Sequence, residues 1–132
     1  MDEIARIQSE VTFLPTSEGG RMTPPMSLSD GRYRPHIVVG DPNQRQGVMV
    51  GKEIQETYLG VIFLSGPDCV EFGKSIEAEL GLLYYPHSRY ESVVPGATFT
   101  IREGARIVGF GKVKALLLPE HAVEHALGSD SR

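Results

Sequence analysis

The chain has 132 residues, of which 40% are hydrophobic and 23% are charged, and its formal net charge at pH 7 is −4. A chain of this length buries about two-thirds of the surface that it exposes when unfolded, so one globular domain needs no disulfide or metal for stability. Because nucleic-acid binding draws most of its affinity from Lys and Arg at phosphates, the acidic balance disfavours a general RNA-binding role.

The composition also indicates a compartment. The single cysteine, Cys69, cannot form an internal disulfide, and the N-terminal sequence MDEIARIQSE contains no apolar run of the kind that signal peptides carry. No stretch approaches the roughly 20 apolar residues that cross a bilayer. We therefore expect a cytoplasmic protein without a membrane partner.

The first half of the chain contains two predicted strands. Residues 1–6 form a short lead-in, and Ile7 to Leu14 then alternate between polar and apolar side chains, which is typical of a strand. Residues 16–31 are rich in Gly, Pro, Ser and Thr and predict a long, turn-rich connection. A second strand is predicted for Tyr33 to Val39.

The middle of the chain is less regular. Gly47 to Val50 is a brief apolar run, and Tyr58 to Ser65 predicts a buried strand. Residues 75–85 contain helix-favouring Glu, Ala and Leu, but they alternate strictly. Gly81 inside a helix would cost about 1 kcal/mol, so we predict a strand here too.

The clearest pattern is a β-hairpin from Phe99 to Val113, which follows a loop over residues 86–95. Gly104 can adopt a positive φ in its turn, and Gly109 and Gly111 leave space for a closely approaching chain. Arg102 and Arg106 flank the turn, where we expect them to reach water or an anionic partner.

The chain continues past this hairpin. We predict that the barrel domain ends at Leu118 and that residues 119–132 form a tail with one short helix.

Two motifs resemble those of a known family. Ile101 to Val113, IREGARIVGFGKV, is similar to I-R-E-G-G-R-T-V-G-A-G-V-V in the third, C-terminal domain of elongation factor Tu. Glu18 to Arg21, then Thr23-Pro24 and Tyr33 to Pro35, resemble that family's E-G-G-R-H-T-P and G-Y-R-P in the same order. The resemblance covers residues 7–118, weakly over residues 41–95. It implies an all-β, six-stranded antiparallel β-barrel, here standing alone.

The resemblance also implies a binding surface. In the family, these motifs contact the T-stem of aminoacyl-tRNA, and the matching positions here are Arg21, Arg34, His36 and Gly104. Two positions depart from the family. Met22 occupies a position where the family commonly has histidine, and Tyr85 replaces a residue that is usually basic. The alternative is that Arg21 and Arg34 only hold their loops through hydrogen bonds to carbonyls and carboxylates.

The family's GTPase domain has no counterpart in the chain. We therefore expect a non-catalytic binding module without catalytic residues, cofactor or metal site. Its partner would be a translation-related protein, namely a domain of the factor, its nucleotide-exchange factor or a toxin that targets it. The acidic balance favours such a protein over tRNA.

Two other functions remain open. One is a small nucleotide-dependent enzyme that uses Gly73-Lys74-Ser75, although Asp68 occupies the position where a phosphate-binding loop needs glycine. Glu71 would also repel phosphate. The other is a purely structural or oligomerisation barrel. Millimolar nucleotide should stabilise the enzyme through Lys74, whereas an oligomerisation barrel should assemble as its concentration rises.

Overall fold

The computed structural model of the chain describes residues 4–47, 49, 50, 53, 54 and 56–119. The strands within this part are β1 (Arg6–Phe13), β2 (His36–Val39), β3 (Met49–Val50), β4 (Glu53–Ile54), β5 (Leu59–Ser65), β6 (Ile76–Leu82), β7 (Thr98–Glu103) and β8 (Arg106–Leu117). Two short 3-10 helices span Thr16–Glu18 and Ser88–Ser92. The predicted tail helix lies outside the described residues.

Six of these strands close into a barrel in the order β1-β6-β5-β2-β7-β8. Every neighbouring pair is antiparallel. The last strand returns to the first, with Leu117 opposite Arg6 and Gly109 opposite Phe13. The prediction of an all-β fold built on a six-stranded antiparallel barrel is therefore confirmed. Strands β3 and β4 form a separate two-stranded sheet.

Alternating side chains fill the barrel. Strand β1 alternates between exposed and buried positions over almost its whole length, as its sequence predicts. Phe13, Tyr33 and Phe63 form an aromatic group inside, with the Tyr33 and Phe63 ring centroids 5.1 Å apart. Full burial of one such side chain contributes about 1.5–3 kcal/mol, so the filled interior is the main source of stability.

The predicted segment of residues 75–85 forms a strand and not a helix, but the strand ends three residues earlier than predicted. Strand β6 covers Ile76–Leu82 and pairs with β1 on one side and β5 on the other. Strict alternation therefore outweighs the helix preference of Glu, Ala and Leu at this position.

Strand β2 begins three residues later than predicted. The carbonyl oxygens of Tyr33 and Pro35 nevertheless accept hydrogen bonds from the amides of Phe63 and Val61, at 3.0 and 3.1 Å. Pro35 has no N–H to donate in return, so the regular ladder starts only at His36.

The β7–β8 hairpin forms as predicted, with Gly104 at a φ of 61° in its turn. A Cβ atom on Gly109 would lie 2.6 Å from the carbonyl oxygen of Thr12, and one on Gly111 would lie 2.5 Å from that of Glu10. These two glycines therefore allow β8 to pack closely on β1, which also confirms their predicted role.

The described part of residues 40–58, here called the excursion, contacts the outside of the barrel through Arg45 and Glu56. Phe99 and Ile101 belong to the core, so the alternating residues Thr100 and Arg102 face outward from β7. The Arg45 guanidinium of the excursion lies 5.3 Å from the ring centroid of Phe110 on β8. The part of the outer face around Thr100 and Arg102 is therefore covered by protein, whereas Lys112 and Lys114 on β8 remain exposed.

Candidate partner-binding surfaces

Three segments far apart in the sequence meet at Glu103, at the end of β7. Its carboxylate accepts hydrogen bonds from the hydroxyl of Tyr33, at 2.7 Å, and from the guanidinium of Arg21. The Arg21 guanidinium also lies 5.6 Å from the centre of the Tyr33 ring, and its Nε donates to the Thr23 carbonyl at 2.8 Å. These contacts join the loop after β1, the segment before β2 and the β7–β8 turn.

This network changes the pKa of Tyr33 and engages the guanidinium of Arg21. Burial, and then the hydrogen bond to Glu103, raise the pKa of Tyr33 far above its ordinary value, so its hydroxyl remains a donor. Arg21 is only 25% exposed and is engaged with Glu103 and Thr23. Its observed contacts are those of an arginine that holds its loop.

Arg102 does not reach the surface. Its side chain is fully buried and makes a bidentate ion pair with Glu56, at 2.7 and 3.0 Å. It also donates to Tyr58 Oη at 3.1 Å and to Thr100 Oγ1 at 2.9 Å. Burial lowers the pKa of Arg102, but the hydrogen bonds to Glu56 and Tyr58 outweigh it and raise that pKa. The expectation that Arg102 reaches water is therefore wrong, and the anionic group that it reaches is Glu56 of this chain.

The other four predicted site residues, Arg34, His36, Gly104 and Arg106, are exposed, and together they are called the turn-end surface. Arg106 lies opposite Glu103 across the turn, and His36 lies opposite Arg102 in the β2–β7 ladder. Arg34 and Arg106 form no ion pair with any residue that the structure describes. The Nε of Arg34 donates to the Gly31 carbonyl at 3.4 Å, a contact within its own loop. Two guanidinium groups without a described ion pair thus lie at one end of the barrel.

A second surface feature was not predicted. A cleft of about 310 Å³, here called the Arg89 cleft, lies over the start of β5. Its polar and aromatic lining consists of His36, Tyr58, Tyr84, His87, Arg89 and Tyr90. In the sequence YYPHSRY, the two tyrosines end the predicted strand of residues 75–85 and the rest falls in the predicted loop of residues 86–95. Its density of aromatic and basic residues is a signal for this one segment of the site.

Hydrogen bonds hold the Arg89 cleft in shape. The buried Tyr90 donates its hydroxyl to the Gly60 carbonyl at 2.7 Å, which ties the 3-10 helix of residues 88–92 to β5. The amide of Arg89 donates to Nδ1 of His87 at 3.1 Å, which caps the start of the 3-10 helix. Burial raises the pKa of Tyr90, which keeps its donor in place.

The loop that carries Gly73-Lys74-Ser75 has a different geometry from a phosphate-binding loop. Lys74 forms an ion pair with Glu71 at 2.9 Å, and the Gly73 amide donates to the carbonyl of Phe13. The loop leads into strand β6, whereas a phosphate-binding loop leads into a helix whose N-terminus faces the anion. These contacts give no support to a phosphate site.

A scan against models of known protein families finds no match, and a search of curated proteins finds no relative of significant similarity. None of the helices in the described ranges is long and apolar enough to cross a bilayer. Among those same residues, no group of three His, Cys, Asp or Glu side chains could hold a metal ion. The surface geometry itself therefore has to indicate the function.

Proposed function

We propose that the chain is a non-catalytic binding module, related to the third domain of elongation factor Tu, that engages a protein partner of that factor. The observation that supports this proposal best is the network at Glu103. The three motifs that carry the resemblance are E-G-G-R, Y-R-P and I-R-E-G, and Arg21, Tyr33 and Glu103 from these motifs contact one another. The six-stranded barrel is also the fold that the resemblance implies.

The proposed contact region is the turn-end surface. A barrel whose interior is filled by side chains leaves binding to its outer faces and loops. Arg34 and Arg106 offer planar, permanently charged donors that suit carboxylates on a partner protein. Because Arg102 and Arg21 are engaged with internal carboxylates, few cations remain for a phosphate backbone, and the net charge of −4 opposes RNA further. A domain of the factor, its exchange factor or a targeting toxin therefore fits better than tRNA.

A pull-down from native lysate at low salt tests this proposal, with both protein and RNA identified in the eluate. The wild-type chain is compared with an Arg34→Glu/Arg106→Glu variant. A Lys112→Glu/Lys114→Glu variant serves as the control, because it changes the net charge equally at two exposed positions on β8. Circular dichroism verifies that all three chains are folded.

We expect a translation-related protein in the wild-type and control eluates and its loss in the Arg34→Glu/Arg106→Glu eluate. Capture that persists equally in all three chains would contradict the turn-end surface. Enrichment of tRNA, lost in the same variant, would replace the protein partner by RNA. An empty eluate from the wild-type chain would contradict the proposed function.

A further inference from the structure

We infer that the Arg89 cleft binds a short acidic segment of a partner protein, one in which a carboxylate side chain is flanked by aromatic or large apolar residues. This inference rests on the proposed function and adds the chemistry of the partner. The cleft does not include Arg34 or Arg106 of the turn-end surface. The two sites share only His36.

The charge of the cleft selects an anion. Its lining contains one guanidinium and two imidazoles but no carboxylate, although the whole chain carries more acidic than basic residues. Arg89 forms no ion pair within the part of the chain that the structure describes. A carboxylate that enters the cleft would therefore find an available partner of opposite charge.

The aromatic lining selects a flat or apolar group beside that anion. Tyr84 is 68% exposed, and the ring of His36 lies 5.7 Å from that of Tyr58. Tyrosine and arginine are the residue types that contribute most binding free energy in protein interfaces, because they combine apolar area with hydrogen bonding.

Contacts within the chain also hold two of the lining side chains in place. Tyr58 is fixed from behind by Arg102, which donates to its hydroxyl at 3.1 Å and lies 5.4 Å from its ring centroid. The Tyr84 ring packs over Gly60, where a Cβ atom would be only 3.1 Å away from it. Fixed side chains lose little entropy on binding, which favours affinity even for a short segment.

A neighbouring cleft indicates that the ligand is a chain and not a small molecule. This second cleft, of about 410 Å³, shares Leu59 and Arg89 with the first and is also lined by Val38 and Val39. A segment that crosses both clefts would place its carboxylate at Arg89 and an apolar side chain on either side. Since β2 pairs with β5 and β7, and β5 pairs with β2 and β6, little strand edge is left for addition of a strand, and we expect recognition mainly through side chains.

The same lining disfavours nucleic acid. A phosphate backbone carries one charge per nucleotide and needs several cations along its path. Arg89 is the one permanently charged cation among the residues that line the two clefts, and Glu56 lies in the second. A peptide with an isolated acidic position matches this distribution better.

Fluorescence anisotropy with the purified full chain at low salt tests the inference. The probe is a fluorescein-labelled peptide, Gly-Phe-Glu-Leu-Gly, with an amidated C-terminus, and the matched probe carries Gln in place of Glu. A labelled oligouridylate tests nucleic acid. The variants are Arg89→Gln and Tyr84→Ala, and Arg32→Gln is the control because it removes the same charge from a side chain that is 90% exposed elsewhere.

We expect the acidic peptide to bind the wild-type and Arg32→Gln chains alike, and to bind Arg89→Gln at least about tenfold more weakly, equivalent to about 1.4 kcal/mol. Tyr84→Ala and the neutral peptide should show losses of similar size. In nuclear magnetic resonance spectra of the chain, addition of the acidic peptide should change the amide chemical shifts mainly over residues 58–60 and 84–90. Absence of binding at millimolar peptide, or equal binding by Arg89→Gln and Arg32→Gln, would overturn the inference.

Three further outcomes separate this inference from the proposed function. Oligouridylate that binds through Arg89 when the peptide does not would assign the cleft to nucleic acid and overturn the inference. A translation-related partner that is lost in Arg34→Glu/Arg106→Glu but kept in Arg89→Gln would preserve the proposed function and overturn the inference alone. Peptide binding through Arg89 without any captured partner would support the cleft and remove the proposed function.

Discussion

Adjacent residues on β7 have opposite roles although both are charged. Glu103 lies at the turn and accepts hydrogen bonds from Arg21 and Tyr33. Arg102, one residue earlier, is buried under the excursion and forms an ion pair with Glu56. Both pairs join distant parts of the chain to the hairpin. The buried pair is the one whose loss should affect stability most, because its carboxylate has little access to water.

The first prediction concerns this buried pair. Arg102→Met removes the guanidinium from Glu56, whose side chain is only 7% exposed, and should lower the free energy of unfolding by about 3 kcal/mol. Arg106→Met, at an exposed position on the same hairpin, should change it by less than about 0.5 kcal/mol. Urea denaturation measures both values. Equal stability of the two variants would show that the Glu56–Arg102 pair does not hold the excursion in place.

The second prediction concerns Tyr33 and pH. Because folding raises the pKa of Tyr33, the folded chain keeps a proton that the unfolded chain loses above about pH 10. The stability that this group contributes is complete below that pH and declines above it, by up to about 1.4 kcal/mol per pH unit. Urea denaturation from pH 8 to 11 should show this decline in wild type, and a shallower one in Tyr33→Phe. Parallel curves for the two chains would contradict the shifted pKa.

At the scale of elements, the sequence predicts which strands have a side in the core better than it predicts which segments pack on the outer side of those strands. Strands β1 and β6 and the β7–β8 hairpin follow from alternation, because each has one face in the barrel interior. Alternation also assigns Arg102 correctly to the outer face. Alternation is a local pattern, so it cannot show that the excursion packs over that face. The contact between Arg102 and Glu56 joins residues 46 positions apart.

The same limit applies to the site. The motif resemblance indicated segments that do meet at Glu103, since each is short and distinctive. The Arg89 cleft was missed because its residues come from three separate segments, around His36, Tyr58 and Arg89. No local pattern connects them, and only the pairing of β2 with β5 brings the first two together.

The third prediction concerns the contact between β8 and β1. Gly111→Ala would place a Cβ atom 2.5 Å from the Glu10 carbonyl oxygen and 2.7 Å from the Phe99 ring, so the strands must separate. We expect a loss of about 2–3 kcal/mol in the free energy of unfolding, measured in urea. Lys112→Ala, the exposed neighbour on the same strand, should cost less than about 0.5 kcal/mol. A Gly111→Ala chain as stable as wild type would show that β8 can move away from β1 without penalty.

At the scale of the whole molecule, the barrel depends on pairing between the ends of the chain. Strand β8 is hydrogen-bonded to β1 along its length and to β7 through the hairpin, so it closes the circle of strands. Closure leaves no free edge in the barrel, which protects it from pairing with other chains. Because each barrel strand pairs with two neighbours, we also expect the strands to unfold together and not one after another.

The fourth prediction tests where the domain ends. All six barrel strands lie within residues 6–117, so a chain of residues 1–119 should keep the barrel and unfold within about 0.5 kcal/mol of the full chain. A chain of residues 1–103 lacks β8, exposes the edges of β1 and β7, and should show no cooperative transition in urea. Near-ultraviolet circular dichroism and urea denaturation distinguish the two. If the longer truncation also loses its transition, residues 120–132 are required for folding, and the boundary predicted at Leu118 is wrong.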